Sequence, residues 1–495
     1  MKVLMVYPKF PDTFWSFQYA LKFIGKKASN PPLGLLTVAA MLPTDWQLRL
    51  VDMNVEALRS RDMAWADMVF ISAMSVQRSS VEEVIQRCQH HDVKIVAGGP
   101  LFTQDPDAFP LVDHFVLNEA EITLPLFLHD LAADRAEKVY TTQEYADIRF
   151  SPVPRWDLIN PNHYDCLSIQ FTRGCPFDCD FCNVTALLGH QVRTKSAAQV
   201  IAELDAIYAL GWRRSVFFVD DNFIGNRKII KEEILPAIIQ WKAGKEGNNF
   251  ITEASINLAD DEPLMDMMVQ AGFHSIFVGI ETPDDNSLEE CHKVQNRHRD
   301  MVSSIKDLQR KGLEVMGGFI VGFDSDTESI FQRQIDFIQQ SGIITAMVGL
   351  LQAPQGTKLF AKMEEANRIS QVFSGDNVDG QTNIVPRMDL TVLQQGYRRL
   401  LDGIYQPKPF YARVKTFLSE FKVNAESTFR LEWSEIAAFF RSVIHLGLFG
   451  KEWREYWDLL FWTLRHYPQK FALAVRCTIY GYHFRRVLES HVVQS

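Results

Sequence analysis

The sequence predicts an α/β protein in three parts: an N-terminal Rossmann-like domain, a central partial (β/α)6 barrel and a mainly helical C-terminal domain. Short apolar runs typical of buried strands alternate with helical patterns as far as residue 351. A polar, proline-punctuated stretch interrupts this alternation from about 134 to 165, and strand signals fade after about residue 385. At 495 residues the chain exceeds what one core organises, so several domains are expected.

The first part, placed at 1–150, contains five strand-like runs. They lie at 2–8, 46–52, 67–73, 93–99 and 114–120, with helical stretches such as LGLLTVAAML between them. This alternation favours a parallel sheet with helices on both faces. No G-x-G-x-x-G follows the first strand, where the chain reads VYPKFPDT, so the sequence argues against nicotinamide or flavin binding.

The second part, placed at 151–385, contains six strand-like runs. They lie at 167–172, 215–220, 250–255, 275–280, 315–323 and 345–351. Helical patterns that end in glycine separate several of them. Barrels of this kind carry their chemistry at the carboxyl ends of the strands, so functional residues are expected there. The third part, 386–495, is rich in aromatic residues and compatible with helices.

Composition narrows the classes of function. The net charge of −10 gives no general footprint for nucleic acid, so no nucleic-acid partner is expected. The N-terminus does not resemble a signal peptide, and no apolar stretch reaches about 18 residues, so we expect a cytoplasmic protein without a membrane span. Seven cysteines in a chain this long do not form a disulfide framework, but three of them cluster.

The cysteine cluster lies at the end of the first barrel strand, in FTRGCPFDCDFCNV. Its members, Cys175, Cys179 and Cys182, have C-x3-C-x2-C spacing. Iron–sulfur clusters are normally bound by four thiolates, so three leave one iron open to a substrate or cofactor. A fourth thiolate could come only from a remote residue, and the nearest candidate, Cys166, is expected at the opposite end of the strand.

A structural zinc site without catalytic activity is the alternative interpretation of these cysteines. Zinc prefers a closed tetrahedral set of sulfur and nitrogen ligands, and His163 or His190 could supply the fourth. Structural zinc cysteines usually come in C-x2-C pairs, however, which this spacing does not match.

The motif resembles that of the radical S-adenosylmethionine (SAM) superfamily, C-x3-C-x-Φ-C, with Phe181 as the aromatic residue Φ. The resemblance implies a 4Fe-4S cluster on the three cysteines. It also implies that the amine and carboxylate of SAM bind the open iron, and that reductive cleavage yields a 5′-deoxyadenosyl radical that abstracts hydrogen. An external reductant such as flavodoxin or ferredoxin is then expected.

The resemblance also implies SAM-binding roles for residues at the next strand ends. The second strand ends in Asp220-Asp221-Asn222, which departs from the superfamily's common Gly-Gly-Glu but offers oxygen acceptors for the methionyl amine. An acidic pair at a strand end can also cap the following helix, which is the alternative for these residues. Packing explanations are also open for the candidates on the third and fourth strands, which are Glu253, Ser255, Gly279 and Glu281.

A Rossmann-like domain before such a barrel resembles the cobalamin-binding radical SAM enzymes. The likeness lies in NPPLGLLTVAA (30–40), SAMSVQ (72–77) and AGGP (97–100), and it implies cobalamin contacts at Ser72, Gly98 and Gly99. Many cobalamin domains ligate cobalt through an Asp-x-His-x-x-Gly histidine, which Asn54 replaces here. Cobalamin should therefore lack a histidine ligand from this motif, and loss of cobalamin binding is an alternative.

The chain also resembles the group that contains the hopanoid C-2 methylases, through VYPKFPDTFWSF (6–17) and IYGYHFRRV (479–487). It implies a cobalamin-dependent methyltransferase that acts on an unactivated carbon of a small or lipid-like substrate. No catalytic acid or base is assigned. The alternatives are a non-methylating or cobalamin-independent radical SAM enzyme, and a non-enzymatic metal-binding protein.

The C-terminal region raises the question of membrane contact. From residue 451 onward the chain has seven Lys or Arg and four Asp or Glu, a local charge of 7 − 4 = +3, and four of its ten tryptophans lie in the last 65 residues. Such a composition suits peripheral contact with the inner membrane face. Core packing is the commoner use of such aromatic residues.

Overall fold

The computed structural model describes residues 1–423 and 433–491. Its first sheet contains six strands, all parallel: β1 (Lys2–Tyr7), β2 (Gln47–Asp52), β3 (Met68–Ser72), β4 (Lys94–Gly98), β5 (His114–Val116) and β6 (Val139–Tyr140). The five predicted strands are confirmed. The strand β6 lies inside the stretch that the sequence indicates as a connector. The sequence does not predict this strand, because two residues are too few to show a periodicity.

The strands of this sheet follow the order β2-β1-β3-β4-β5-β6. Residues Val3 to Val6 of β1, an interior strand, are fully buried, as in a parallel strand covered on both faces. The strand order reverses between β1 and β3, and open α/β sheets bind ligands beyond the carboxyl ends of their strands at such a point. The covering helices are α2 (Leu33–Met41), α3 (Ser60–Trp65), α4 (Arg78–His90), α5 (Pro100–Gln104) and α6 (Ala120–Ala132), whereas α1 (Gln18–Ile24) packs against the C-terminal helices.

The second sheet is an open, partial barrel of six parallel strands. In spatial order these are β7 (Leu167–Ile169), β10 (Val216–Phe218), β11 (Phe250–Glu253), β12 (Phe273–Glu281), β13 (Glu314–Val321) and β14 (Ala346–Leu350). The strands β7 and β14 form its two edges, which confirms the predicted partial (β/α)6 barrel. A separate antiparallel ribbon consists of β8 (Thr172–Arg173) and β9 (Arg193–Thr194).

Helices follow the barrel strands and cover the outside of the sheet. Their polar and apolar residues alternate with helical period; in the helix after β12, for example, Met301, Ile305 and Leu308 are buried. The barrel helices are α7 (Asn183–Leu188), α8 (Ala197–Ala209), α9 (Arg227–Ile229), α10 (Leu235–Lys242), α11 (Glu262–Ala271), α12 (Asp285–Glu290), α13 (Met301–Lys311), α14 (Ser329–Ser341) and α15 (Lys358–Glu365).

The C-terminal part is helical, as predicted. It contains α16 (Leu390–Tyr405), α17 (Pro407–Glu420), α18 (Trp433–Ser442), α19 (Trp453–His466) and α20 (Phe471–His491), and a π-helical turn, Val443–Leu448, extends α18. Phe14 stacks on Phe484 of α20 with ring centroids 4.3 Å apart, so the core of the barrel continues into these helices and into the N-terminal segment. The boundaries at 150 and 385 stay predictions. None of the described helices is both long and apolar enough to cross a membrane.

Candidate functional site

The cysteine loop lies beyond the carboxyl end of β7, and the ribbon β8–β9 closes its base. Gly174, directly before Cys175, has φ +90°, and a Cβ there would lie 2.5 Å from the carbonyl oxygen of Gln191. Glycine is therefore required for the chain to turn into the loop. Cys182 is the N-cap of α7, so that helix begins at the third thiol.

The three thiols lie close enough to interact electrostatically. Burial raises the pKa of Cys175, Cys179 and Cys182, that of Cys182 to about 12. Neighbouring thiolate charge raises the pKa of Cys175 and Cys182 further, whereas the ammonium of Lys293 lowers that of all three. Three thiols around one point, with a cation beside them, suit an anionic cluster held by thiolates.

The residues beside the thiols come from a loop more than a hundred positions later in the chain. Lys293 Nζ lies 2.7 Å from Glu281 Oε1, and Gln295 Nε2 donates to Cys179 Sγ at 3.9 Å. Burial lowers the pKa of Lys293, but the negative charges of Glu281 and the thiolates raise it by more. The net shift of the pKa is upward, so the side chain stays charged. Gln295 Oε1 is buried without a hydrogen-bond partner among the described residues, so it remains free for a ligand. Sequence reasoning missed both residues.

The acidic end of β10 lies directly under the cysteine loop. Asp220 Oδ1 accepts from the backbone amides of Phe171, at 3.0 Å, and Thr172, so this carboxylate positions the start of the loop. Its Oδ2 is buried and has no partner among the described residues. Burial raises the pKa of Asp220 to about 7 and that of Asp221 to about 6.

Asn222 and Ser255 join the ends of β10 and β11. Asn222 Oδ1 accepts from the amide of Ser255 at 3.2 Å, which fixes the two strand ends relative to each other. Glu253, two residues before Ser255, lines a large cavity that lies below the cysteine loop. Burial raises its pKa to about 8, with smaller contributions from the charges of Asp221 and Asp220. This carboxylate-rich bay can accept an ammonium group.

Gly279 and Glu281 shape the same bay from the end of β12. Glu281 has φ +62°, a left-handed conformation that is costly for a non-glycine residue and common at functional sites. A Cβ on Gly279 would lie 2.4 Å from Glu281 Oε1 and 2.8 Å from Lys293 Nζ, so glycine makes room for that ion pair. Both residues line the cavity, together with Phe181 and Cys182.

The barrel encloses an apolar lumen that opens on this bay. Alternate strand residues point inward and are half-buried, whereas their neighbours pack outward and are buried. Trp15, from the N-terminal segment, contacts Phe277 with ring centroids 5.4 Å apart and donates to Met347 Sδ at 3.0 Å. The cavity measures about 2810 Å³, and the inward-facing residues that line it are Phe217, Ile251, Phe277, Met316 and Met347.

The carboxyl edge of the first sheet borders the same cavity. Met74 and Pro100 line it, just after β3 and β4. Ser72 pairs with Gly98 in the sheet, and Gly99, with φ +88°, would place a Cβ 2.6 Å from Ser72 Oγ. The structure therefore brings the three predicted cobalamin-contacting residues together at the edge of the sheet. Close packing also explains both glycines without any ligand, because a Cβ on Gly98 would lie 2.6 Å from the carbonyl oxygen of Val116.

Asn54, which stands in place of the family's histidine, is committed to its own domain. Its Oδ1 accepts from the amide of Phe10 at 2.8 Å, and its Nδ2 donates to Asp52 Oδ1 at 2.7 Å and to the carbonyl of Pro8 at 3.3 Å. Asp52 in turn accepts from the hydroxyl of Tyr164 at 2.9 Å. The side chain thus holds the loop after β1 and has no amide atom left for another role.

Two buried ion pairs, which we call the interdomain clamp, join the first domain to the cysteine loop. Arg173 on β8 forms two hydrogen bonds with Glu121, at 2.8 and 3.0 Å. Arg193 on β9 forms two with Glu119, at 2.6 and 2.7 Å. All four side chains are at most 14% exposed. Sequence reasoning missed this clamp, because nothing in the pattern pairs residues so far apart.

The zinc alternative finds no supporting geometry. His163 precedes β7 and lies at the amino end of the strand, opposite the cysteines, as does Cys166. His190 Nε2 lies 3.7 Å from Asp178. Within 1–423 and 433–491, no three His, Cys, Asp or Glu residues are grouped to hold a single metal ion.

Family models cover most of the chain. "B12 binding domain" matches residues 27–128, "Radical SAM superfamily" matches 169–338, and "Domain of unknown function (DUF4070)" matches 357–495. The bay with its three thiols lies in the second match and the sheet edge with Ser72 and Gly98 in the first. The cofactors of the chain are therefore a 4Fe-4S cluster, SAM and cobalamin.

Two relatives match over most of their length. An uncharacterized methyltransferase of Synechocystis sp. is 37% identical over 99% of this chain and 92% of the relative. The hopanoid C-2 methylase of Rhodopseudomonas palustris is 33% identical over 83% of this chain and 78% of the relative.

Two solved structures share the fold over nearly the whole chain. The radical SAM methyltransferase TsrM of Kitasatospora setae, with cobalamin and a [4Fe-4S] cluster bound, superposes with a TM-score of 0.61 at 15% identity and covers 99% of both chains. The cobalamin-dependent radical enzyme OxsB superposes with a TM-score of 0.60 at 14% identity, over 99% of this chain and 84% of OxsB. This chain belongs to the cobalamin-binding radical SAM methyltransferase family that includes the hopanoid C-2 methylase.

Proposed function

We propose that this protein methylates an unactivated carbon of a lipid-like substrate held in the barrel lumen. The observation that carries the proposal is the apolar lumen, which opens directly on the bay of the three cysteines. The 33% identity to a hopanoid C-2 methylase supports a substrate of this class.

Residues at different places around the cavity would bind different cofactors. When bound, the cluster and SAM supply a 5′-deoxyadenosyl radical for hydrogen abstraction, and cobalamin supplies the methyl group. Cys175, Cys179 and Cys182 would hold the cluster. The acceptors at the strand ends would bind SAM, namely Asp220, Asp221, Asn222, Glu253, Ser255, Gly279 and Glu281. Ser72, Gly98 and Gly99 would contact cobalamin at the edge of the first sheet.

Radical chemistry requires that the target carbon of the substrate is held in a fixed position, and the lumen would hold it. A saturated carbon offers no hydrogen bond, so shape and apolar contact must hold it near the bay. Each buried methylene contributes about 0.8 kcal/mol to binding. The flexible side chains Met316 and Met347 and the rings of Trp15 and Phe277 can adapt to an irregular apolar molecule and exclude water from the radical.

Two partners follow from this chemistry. Reductive cleavage of SAM consumes an electron, so we propose a ferredoxin or flavodoxin as external reductant. A lipid substrate resides in a membrane, so we also propose a cytoplasmic protein that contacts the inner membrane face.

The test is methyl transfer by anaerobically reconstituted protein supplied with methyl-labelled SAM and a membrane lipid extract. We expect label on bound cobalamin and on a lipid product. Formation of 5′-deoxyadenosine with no label on either would instead establish a non-methylating radical enzyme.

A lumen variant makes the test specific for the substrate class. Met347→Gln places an amide in the apolar lumen, and we expect lipid methylation to fall about tenfold while SAM cleavage without lipid is unchanged. Leu390→Gln, at a side chain that is 45% exposed, is the control. Equal lipid methylation by the two variants would show that the lumen does not hold the substrate.

A further inference from the structure

An exposed hydrophobic surface covers one part of the C-terminal domain, the hairpin of residues 433–466 formed by α18, its π-helical turn and α19. In the described part of the chain 21 large hydrophobic side chains are exposed, and eight of them lie on this hairpin. Isolated exposed hydrophobic residues are normal, but a contiguous group marks an interaction surface. The eight are Trp433, Phe440, Ile444, Leu448, Phe449, Trp453, Phe461 and Leu464.

The exposed residues follow the helical period, so they form stripes rather than scattered points. On α19, the exposed residues 453, 461 and 464 fall within about 80° of the helix circumference, with the half-buried Trp457 between them. A neighbouring face of the same helix, with Tyr456, Leu459 and Leu460, is buried in the core. The helix therefore has a second apolar face that no described part of the chain covers.

The hairpin holds these stripes in place. The hydroxyls of Ser442 and Tyr456 are 2.8 Å apart, and Trp457 Nε1 donates to the carbonyl of Gly447 at 3.0 Å. Phe449, at the tip between the helices, is 83% exposed. These contacts fix the hairpin, whose exposed residues run along α18, over the tip and along α19. Of the four C-terminal tryptophans, Trp433 is 85% exposed and Trp453 49%, whereas Trp457 and Trp462 pack against the core, so the core role holds for two of the four.

The charge of the hairpin favours an anionic partner, although the whole chain carries −10. Its one exposed carboxylate, Asp458, is paired with Lys415 at 2.6 Å, and its other carboxylates are buried or half-buried. Arg454 and Arg465 lie side by side along one edge of the apolar stripe of α19, and basic residues beside an apolar face are typical of helices that lie in a membrane interface. The exposed cations of the hairpin are Arg441, Lys451, Arg454 and Arg465.

The inner side of the hairpin borders the cavity. Ile436 and Phe439 of α18 line it, as do Phe471 and Ile479 of α20. Ile436, three residues after Trp433 and four before Phe440, borders the exposed stripe. The same cavity includes the lumen residue Phe277 and, at the far end, Cys182. The helix α18 thus stands between the exterior and a route to the cysteine bay.

We propose that the C-terminal hairpin inserts its apolar stripes into the interface of an anionic bilayer, and that lipid enters the cavity beside α18. The second half of this proposal rests on the proposed lipid substrate, and the first half does not. A second copy of the chain fits the surface less well, because a symmetric pairing of the hairpins would bring their cations together.

Vesicle flotation of the full-length protein tests the surface. We expect binding to vesicles of phosphatidylcholine with phosphatidylglycerol and much weaker binding to phosphatidylcholine alone. Phe449→Ser should weaken binding about tenfold, whereas Phe150→Ser, at a ring that is 82% exposed elsewhere, should not. Equal binding by the two variants, or a concentration-dependent dimer that Phe449→Ser abolishes, would overturn the bilayer surface.

Ile436→Trp tests the route. This variant narrows the cavity behind α18, and we expect unchanged vesicle binding and SAM cleavage with at least a tenfold loss of lipid methylation. Unchanged methylation would overturn the route. If wild-type protein binds vesicles but methylates no lipid, the proposed function fails while the surface stands.

Discussion

The interdomain clamp allows a prediction whose magnitude follows from the structure. Burial alone would raise the pKa of Glu121, but the hydrogen bonds and charge of Arg173, with a smaller contribution from the hydroxyl of Ser151, outweigh burial and lower the pKa from 4.5 to about 2. That difference corresponds to about 3 kcal/mol of folding free energy. Loss of one partner of a buried ion pair costs about 3 to 5 kcal/mol, which is a consistent figure. Glu121→Gln should therefore destabilise the contact by about 3 kcal/mol.

Hydrogen exchange measured by mass spectrometry reports this contact locally, which suits a chain of several parts that need not unfold in one step. In Glu121→Gln we expect peptides covering 117–125 and 172–194 to exchange roughly 100-fold faster, by the conversion of 1.36 kcal/mol per factor of ten. The control is Asp157→Asn, which breaks the exposed pair with Arg155, at 2.7 Å with side chains 43% and 59% exposed. Such a pair contributes less than about 1 kcal/mol.

The stabilising contribution of Glu121 should also depend on pH in a predictable direction. The folded pKa of Glu121 is lowered, so its contribution is fully present above pH 4.5 and is lost as the pH falls toward 2. The difference between wild type and variant should stay constant from pH 8 to pH 5. A change of less than about twofold in exchange, or one equal to that of Asp157→Asn, would refute the assignment of the clamp.

Three further predictions concern the bay and the sheet edge. Cys179→Ala should abolish iron content and visible absorbance after reconstitution, whereas Cys291→Ala, at a thiol that is also buried, should keep both; equal loss would remove the assignment of the motif. Lys293→Met should lower the midpoint potential of the reconstituted cluster, because it removes a cation near all three thiols; an unchanged potential would contradict that role. Gly99→Ala should cost clearly more stability than Gly25→Ala, since both have positive φ but only Gly99 would also place a Cβ 2.6 Å from Ser72 Oγ; equal thermal shifts would show that the contact is easily relieved.

The sequence predicts well what depends on neighbours along the chain. Parallel strands buried on both faces appear as continuous apolar runs, and all eleven predicted strands exist in the two sheets. The cysteine motif is likewise local, and its position after β7 places it at the mouth of the barrel. In contrast, Lys293 and Gln295 reach Cys179 from a loop that no periodicity marks, and the partner of Arg173 is 52 positions away. Single-sequence patterns carry no signal for such pairs.

Asn54 shows how a lost ligand and a retained binding domain fit together. The edge of the first sheet is built by backbone geometry at Ser72, Gly98 and Gly99, and none of it depends on residue 54. Asn54 accepts one hydrogen bond and donates two, which a single imidazole cannot do, and so it closes the loop after β1 onto Asp52. A histidine ligand would have contributed one bond to a cofactor. The asparagine instead contributes order to the loop at the strand switch point. Cobalamin would therefore lack a histidine ligand from this motif, while Ser72, Gly98 and Gly99, the residues proposed to contact it, keep their positions.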